Sequence, residues 1–401
     1  MTVDLAAIEA ARVLLGDVVR RTPVHESHVL AQRVGGPVWL KCENLQRTGS
    51  FKLRGAYVRI ARLSADERRA GVVAASAGNH AQGVALAASL LDAPAVVFMP
   101  EGAPIPKMEA TRAYGAEVRF AGTTVDEALL AATAFAERAG SVLIHPFDHP
   151  DVVAGQGTVG LEILEQVPNV ATIVVPAGGG GLVSGIATAV KGKRPTANVV
   201  AVQAAGAASL PESLAAGYPV GLDRMATFAD GIAVGRPGEL PFQLICEYVD
   251  AVRTVSEDAL ARALLLCLER AKLVVEPAGA VGVASVLEEP AGIEPPVVIV
   301  VSGGNIDPLL LMRVLRHGMV AAGRYLSITL RVPDRPGELA RLLAVLAGTG
   351  ANVLEVEHAR TGRALHLDEV EVALVLETRG EGHSDEVLGR LGEAGYPPVV
   401  R

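Results

Sequence analysis

Along about the first three-quarters of the chain, apolar residues come in short unbroken runs rather than in alternation. "AGVVAAS" (Ala70 to Ser76), "PAVVFMP" (Pro94 to Pro100), "ATIVVPAGGGG" (Ala171 to Gly181), "ANVVAVQ" (Ala197 to Gln203) and "PPVVIVVSGGN" (Pro295 to Asn305) are the clearest; most lead through glycine or proline into stretches with helical spacing. An unbroken run suits a strand covered on both faces, the condition of a parallel sheet. The repeat of strand, turn and helix up to about Gly323 predicts an open, twisted α/β fold with its ligand at the carboxyl ends of the strands. "GAEVRFAG" (Gly115 to Gly122) adds a strand, and Thr124 with Glu127 has the spacing of a capping box for the helix behind it.

After Arg324 the period changes. In "YLSITLRV", Leu326, Ile328, Leu330 and Val332 point one way and Ser327, Thr329 and Arg331 the other, which describes a half-exposed strand. The turn "PDRPGE" leads to a helix with Leu339, Leu342, Leu343 and Leu346 on one face, closed by Gly348 and Gly350. "ANVLEVEHAR", the turn "TGRA", "DEVEVALVLETR", "SDEVLGRLGEAG" and "PPVV" complete a βαββαβ order, the ferredoxin-like arrangement. Two domains are expected, 1–322 and 323–401.

Composition narrows the choice of partner. Half the residues are hydrophobic but only 3% aromatic, as α/β layering built on Ala, Val, Leu and Gly requires. A net charge of −8 without a long basic run argues against nucleic acid or an anionic membrane surface. No apolar run approaches the roughly 20 residues of a membrane span, and Asp4 and Glu9 stand where an export signal carries positive charge, so a cytoplasmic protein is expected. Cys42, Cys246 and Cys267 are scattered and odd in number; they are expected to be inert packing residues, and no metal site is expected.

Two stretches carry candidate chemistry. In "ENLQRTGSFKLRGA" (Glu43 to Ala56), Lys52 follows a Gly-Ser-Phe turn and opens a helix. Taken alone it is either a solvated lysine at a helix start or a lysine meant to react with a carbonyl, whose amine burial would make partly neutral. The four glycines Gly178 to Gly181 lie between an apolar strand and a helix start, where consecutive backbone N–H groups and the helix dipole hold an anion. A Walker loop is excluded because Leu182 follows where Lys is needed, and the G-x-G-x-x-G pattern fails from Gly178 onward. A phosphate on another kind of ligand is the favoured guest over a merely tight turn.

"TGSFKLRGA", "SAGNHAQGVA", "PAGGGGLVSG" and "VSGGN", in this order, resemble the fold-type II pyridoxal-phosphate enzymes, most of all the threonine/serine dehydratases. The tail "VPDRPGELARLLAVLAGTGANVLEVEH" resembles an ACT regulatory domain. The resemblance implies a two-lobed catalytic domain with open parallel sheets followed by the ACT domain, and it decides for a Schiff-base lysine at Lys52. It further implies pyridoxal 5′-phosphate held by Phe51, Lys52, Asn79, the loop Gly178, Gly179, Gly180, Gly181 and Leu182, and Ser302 opposite the ring nitrogen. Ser76, Ala77, Gly78, Asn79 and His80 would bind the substrate carboxylate. Glu276, Asp230 and Gly231 would lie near the cofactor without an assigned role, and His80 is expected to make structural hydrogen bonds.

The implied reaction is β-elimination of L-threonine, and of L-serine, to 2-oxobutanoate or pyruvate and ammonia. Related serine racemases carry a second serine where this chain has Ala77, and β-replacement synthases carry Thr where it has His80; relatives that hold a divalent metal have acids where it reads "VQAAGAASLPES". A sensor built on a dead enzyme would have lost Lys52 or the glycine loop. For the tail, the resemblance implies an amino-acid effector, isoleucine, near Gly337 and Asn352, in a homo-oligomer (dimer or tetramer).

Overall fold

The computed structural model describes residues 3–360 and 365–400; the turn "TGRA" lies outside them. The chain forms two compact units, Met1–Leu311 and Met312–Arg401. The division falls within the helix Pro308–Ala321, whereas the pattern changes at Tyr325, where the first strand of the second unit begins.

The first unit contains two sheets. One has the order β1-β2-β10-β7-β8-β9, from β1 (Val24–Glu26), β2 (Val38–Cys42), β7 (Thr172–Pro176), β8 (Asn198–Ala204), β9 (Ala251–Val255) and β10 (Val297–Val301). The other has the order β5-β4-β3-β6, from β3 (Val72–Ala75), β4 (Ala95–Met99), β5 (Glu117–Phe120) and β6 (Val142–Leu143), and is parallel throughout. Every residue of β3, β7 and β10 is buried, as unbroken apolar runs require. The expectation of parallel sheets needs one amendment: β1 pairs antiparallel with β2, at the edge of the larger sheet. Its sequence, Val-His-Glu, is polar enough to leave one side wet, which an antiparallel edge permits.

Three helices of this unit meet along glycines. The lysine helix (Lys52–Ala61) and the glycine-loop helix (Gly181–Lys193) both pack on the central helix (Pro150–Gln166). A Cβ at Gly155 would stand 2.6 Å from Gly55 Cα, and one at Gly157 would stand 2.8 Å from Gly185 O. Both lie inside the reach of any real Cβ, so backbone touches backbone. Beside this contact lies a buried charge cluster. Arg54 donates from Nε and Nη2 to Glu43 (2.8 Å each) and from Nη1 to Glu162 (2.6 Å), while Lys41 Nζ reaches the second oxygen of Glu162 (2.5 Å).

The second unit has the antiparallel order β12-β13-β11-β14, from β11 (Tyr325–Pro333), β12 (Asn352–Ala359), β13 (Glu369–Glu377) and β14 (Val399–Val400). Leu326, Ile328, Leu330 and Val332 are buried in the expected alternation. They face the helices Glu338–Thr349 and Glu381–Glu393 through Leu342, Leu346, Val387 and Leu391. The first of these helices ends at Gly350, in the left-handed region at φ 75°; Gly348, read as part of the stop, lies inside it.

Cys42 and Cys267 are buried, but Cys246 is exposed near the end of the helix Glu239–Tyr248, so the packing role does not extend to it. The amphipathic face of that helix points Leu244 and Ile245 inward and leaves the next position outside. Among the described residues no helix is long and apolar enough to cross a membrane.

Candidate active site

A cavity of about 760 Å³ opens where β3, β7 and β10 end and the loops behind them begin. The lysine helix starts at its wall. Phe51 N–H donates to Ser302 O (3.2 Å) and Ser50 bridges Gly303, which ties the entry of the helix to the end of β10. Lys52 Nζ donates to the carbonyl of Pro146 (2.9 Å) and stands 5.2 Å from the centre of the Phe51 ring. A carbonyl offers the amine no counter-charge. Burial therefore draws Lys52 down to about 8, against the opposing pull of Glu276.

Gly178 to Gly181 run from β7 into the glycine-loop helix, with Gly180 as N-cap at φ 94°. Phe147 fills the space behind them: a Cβ at Gly179 would lie 2.4 Å from its ring and one at Gly181 2.9 Å from its Cβ. With Leu182 they line the cavity as bare backbone, and the N–H groups of the first helical turn have no acceptor within the helix. This is a cradle for an anion.

Ser76 to His80 follow β3. Gly78 caps the helix Asn79–Leu90 and donates to Ser76 Oγ (3.1 Å), and Ala77 lines the cavity beside them. His80 Nε2–H donates to Ile144 O (2.7 Å); burial, reinforced by the Lys52 charge, pulls it down to about 3, so the ring stays neutral. Asn79 donates to Glu276 Oε1 (2.6 Å). Glu276 is 3% exposed, and burial, aided by Asp230, raises its carboxyl to about 7. Ser302, also 3% exposed, and Gly231 complete the predicted set around one cavity.

Sequence reasoning misses several lining groups, among them Lys107, His145 and Phe147. Lys107 forms an ion pair with Asp230 (2.6 Å). His145 Nδ1 accepts from Asp148 N–H (2.8 Å), which leaves its proton on Nε2. Phe147 backs the glycine loop. They lie on segments without a motif, and only the fold brings them to the motifs.

In the second unit a hollow of about 300 Å³ surrounds the "PDRPGE" turn, lined by Asp334, Arg335, Gly337, Glu338, His358 and Arg360 among others. Gly337 takes φ 90° and caps the helix Glu338–Thr349. Asn352 lies elsewhere: it opens β12 opposite Glu377, to which it donates (3.3 Å), at the other end of the sheet from the turn. The structure does not bring Gly337 and Asn352 together within one copy of the chain.

The family described as pyridoxal-phosphate dependent enzyme matches residues 15–303, and the ACT domain family matches residues 326–395. The chain belongs to the pyridoxal-phosphate-dependent enzymes. An L-threonine ammonia-lyase of Thermotoga maritima is 48% identical over 394 residues, 98% of each chain. Among solved structures, the processed form of threonine deaminase isoform 2 from Solanum lycopersicum superposes with a TM-score of 0.75 at 39% identity, covering 78% of this chain and 92% of that one. A maize serine racemase superposes with a TM-score of 0.75 at 37% identity, covering 78% and 97%. The cavity fits the family's cofactor. It offers an amine drawn down to about 8 for an aldehyde, and a backbone cradle, which side chains would block, for a phosphate.

Proposed function

We propose that this protein is an L-threonine ammonia-lyase that also accepts L-serine, releasing 2-oxobutanoate or pyruvate with ammonia, under the control of an amino acid at the ACT domain. The observation that carries this reading is Lys52: a partly neutral amine that hydrogen-bonds to a carbonyl, facing a bare-backbone anion cradle in the same cavity. In this reading Lys52, Phe51, Asn79, Gly178 to Leu182 and Ser302 hold pyridoxal 5′-phosphate. The bound cofactor supplies an aldehyde for the substrate amine and a ring that accepts the electron pair left at Cα.

The chain's own residues do the rest. N–H groups of the loop Ser76 to His80, at a helix start, bind and orient the substrate carboxylate. Lys52 would take the proton from Cα once the substrate amine holds the cofactor, and the burial that lowers its hold on a proton would keep part of it as free base. The β-hydroxyl would leave as water, its added proton balancing the one that Lys52 takes from Cα, and the released enamine would tautomerise and hydrolyse to the 2-oxo acid and ammonia. Ser302, which lines the cavity, would offer the cofactor's ring nitrogen a hydroxyl in place of a charge, which would favour prompt elimination.

A racemase reading is favoured by the likeness to maize serine racemase. Against it stands Ala77, which offers no proton to the face of Cα opposite Lys52. Pairing of ACT domains side by side supports a homo-oligomer, dimer or tetramer, and the free cysteines support a cytoplasmic setting. The effector in this reading is isoleucine, seated at the Gly337 turn, with Asn352 contributed by a second ACT domain.

The test is release of 2-oxo acid from L-threonine and L-serine, with D-serine measured beside it and with isoleucine present or absent. Oxo acid from both, little D-serine, and a threonine saturation curve that isoleucine moves in the wild type but not in Gly337→Asp are expected. A coupling of about 1–3 kcal/mol would move affinity about 5- to 150-fold. No oxo acid from either substrate overturns the lyase, D-serine at a comparable rate favours the racemase, and an unmoved curve overturns the effector.

A further inference from the structure

Asn305, the last residue of "VSGGN", has no role in the scheme above, yet it joins three of the four motifs. Its Nδ2 donates to the backbone carbonyl of Thr48 (2.7 Å) and to Asn79 Oδ1 (2.7 Å). Its Oδ1 presses on Gly49, where a Cβ would stand 2.3 Å away. Asn79 in turn donates from Nδ2 to Glu276 Oε1 (2.6 Å).

The direction of this series follows from its first member. An amide side chain can turn over and exchange its donor and acceptor ends, but a backbone carbonyl only accepts. Thr48 O therefore holds the Asn305 NH₂ in place. That NH₂ requires Asn79 to present its oxygen, and Asn79 is left with its NH₂ towards Glu276. Glu276 Oε1 can then only accept, and a proton on this carboxyl must sit on Oε2.

We propose that Asn305 is a positioning residue that sets which way the Asn79 amide points and thereby which oxygen of Glu276 carries its proton. The role rests on the reading of this cavity as the cofactor site, since Asn79 has a second N–H to offer a ligand there. Without Asn305, Asn79 is free to turn over, accept a hydrogen bond from the protonated Glu276 carboxyl and present its oxygen to the cavity. The groups facing Glu276 from other elements are Lys52, Asp230, Lys107 and Asn79, and the carboxyl is raised to about 7 by burial among them. A bond from Asn79 to the ionised form opposes that rise, so its loss moves the titration upward.

The test follows the Glu276 carboxyl band by difference infrared spectroscopy against pH in the substrate-free holoenzyme, with Glu276→Gln to assign it and the visible band of the bound cofactor as a second reading. In Asn305→Leu the midpoint is expected to rise by roughly one pH unit, and in Glu276→Gln, Asn305→Leu the step is absent. Asn305→Asp, close in shape and without either N–H, is expected to shift the same way and serves where Asn305→Leu does not fold. An unmoved or lowered midpoint in folded variants overturns the proposal, as does a wild type without a Glu276 step. The infrared band is also read in protein stripped of cofactor, so a failure of the cofactor-site reading leaves this result standing.

Discussion

Lys52 and Arg54 are two residues apart on one helix, and their surroundings are opposites. The Arg54 guanidinium is wholly buried and meets two carboxylates, Glu43 and Glu162, with Lys41 closing the set, so two positive and two negative charges balance out of water. Lys52 points into the cavity and meets a carbonyl. Pairing holds Arg54 charged above the ordinary range, whereas burial without a close counter-charge pulls Lys52 down to about 8. A fully paired ion is inert and serves as an anchor; an underpaired one can give up its proton and react. The helix thus carries a fully paired charge and, two residues away, the amine that the proposed function makes reactive.

The comparison can be broken most severely at Lys52. On the proposed function Lys52→Ala removes nucleophile and base together, and oxo-acid release is expected to fall by more than the roughly 10²–10⁴-fold of a lost general base. The apo-protein should keep its unfolding temperature, because the substitution removes a buried amine whose burial outweighs the pull of Glu276. Retained turnover would sink the assignment. The opposite outcome is expected next door. Arg54→Met leaves Glu43 and Glu162 short of their partner, a loss of about 3–5 kcal/mol in denaturant unfolding, and an unchanged midpoint would show that the cluster is no anchor. Glu276 sharpens the contrast with the smallest effect. Its folded carboxyl is raised to about 7 from an ordinary 4.5, so the folded state holds the extra proton and the stability that comes with it is present below 4.5 and lost as pH rises through about 7. Relative to Glu276→Gln, the wild type should lose unfolding temperature over that window, and parallel curves would contradict the shift.

How far the chain can be read without its fold follows the same division. The glycine loop is legible because it is a local run whose spacing already states a chemistry, whereas Lys52 and the Ser76–His80 loop are legible only through the family resemblance that their motifs carry. The alternation of Leu326 to Val332 likewise announces a one-faced strand, and Thr124 with Glu127 closes its capping box as spaced. Arg54 is printed inside the same motif as Lys52, yet nothing local says that its partners include Glu162, 108 positions on. Asn305 and Asn79 are 226 apart, and Lys107 meets Asp230 across 123. Such pairs depend on sheet order and helix packing, which a single chain does not state. The edge strand β1 escapes because three residues are too few to show a direction of pairing, and no local signal says that the sheet carries Gly337 and Asn352, which flank one helix in sequence, to opposite ends of one copy.

The glycine seams at Gly55–Gly155 and Gly157–Gly185 make the central helix a gauge block. The helix that presents the amine rests on one side of it and the helix that opens from the anion cradle rests on the other, each at backbone contact. The span between the two therefore depends on the thickness of a helix stripped of side chains. No single addition at these positions can be absorbed by a rotamer change, because the atoms in the way belong to the main chain. A descendant of this protein could widen one seam only by shifting a whole helix, and with it the reach of Lys52. These four positions are bound to change together or to stay as they are.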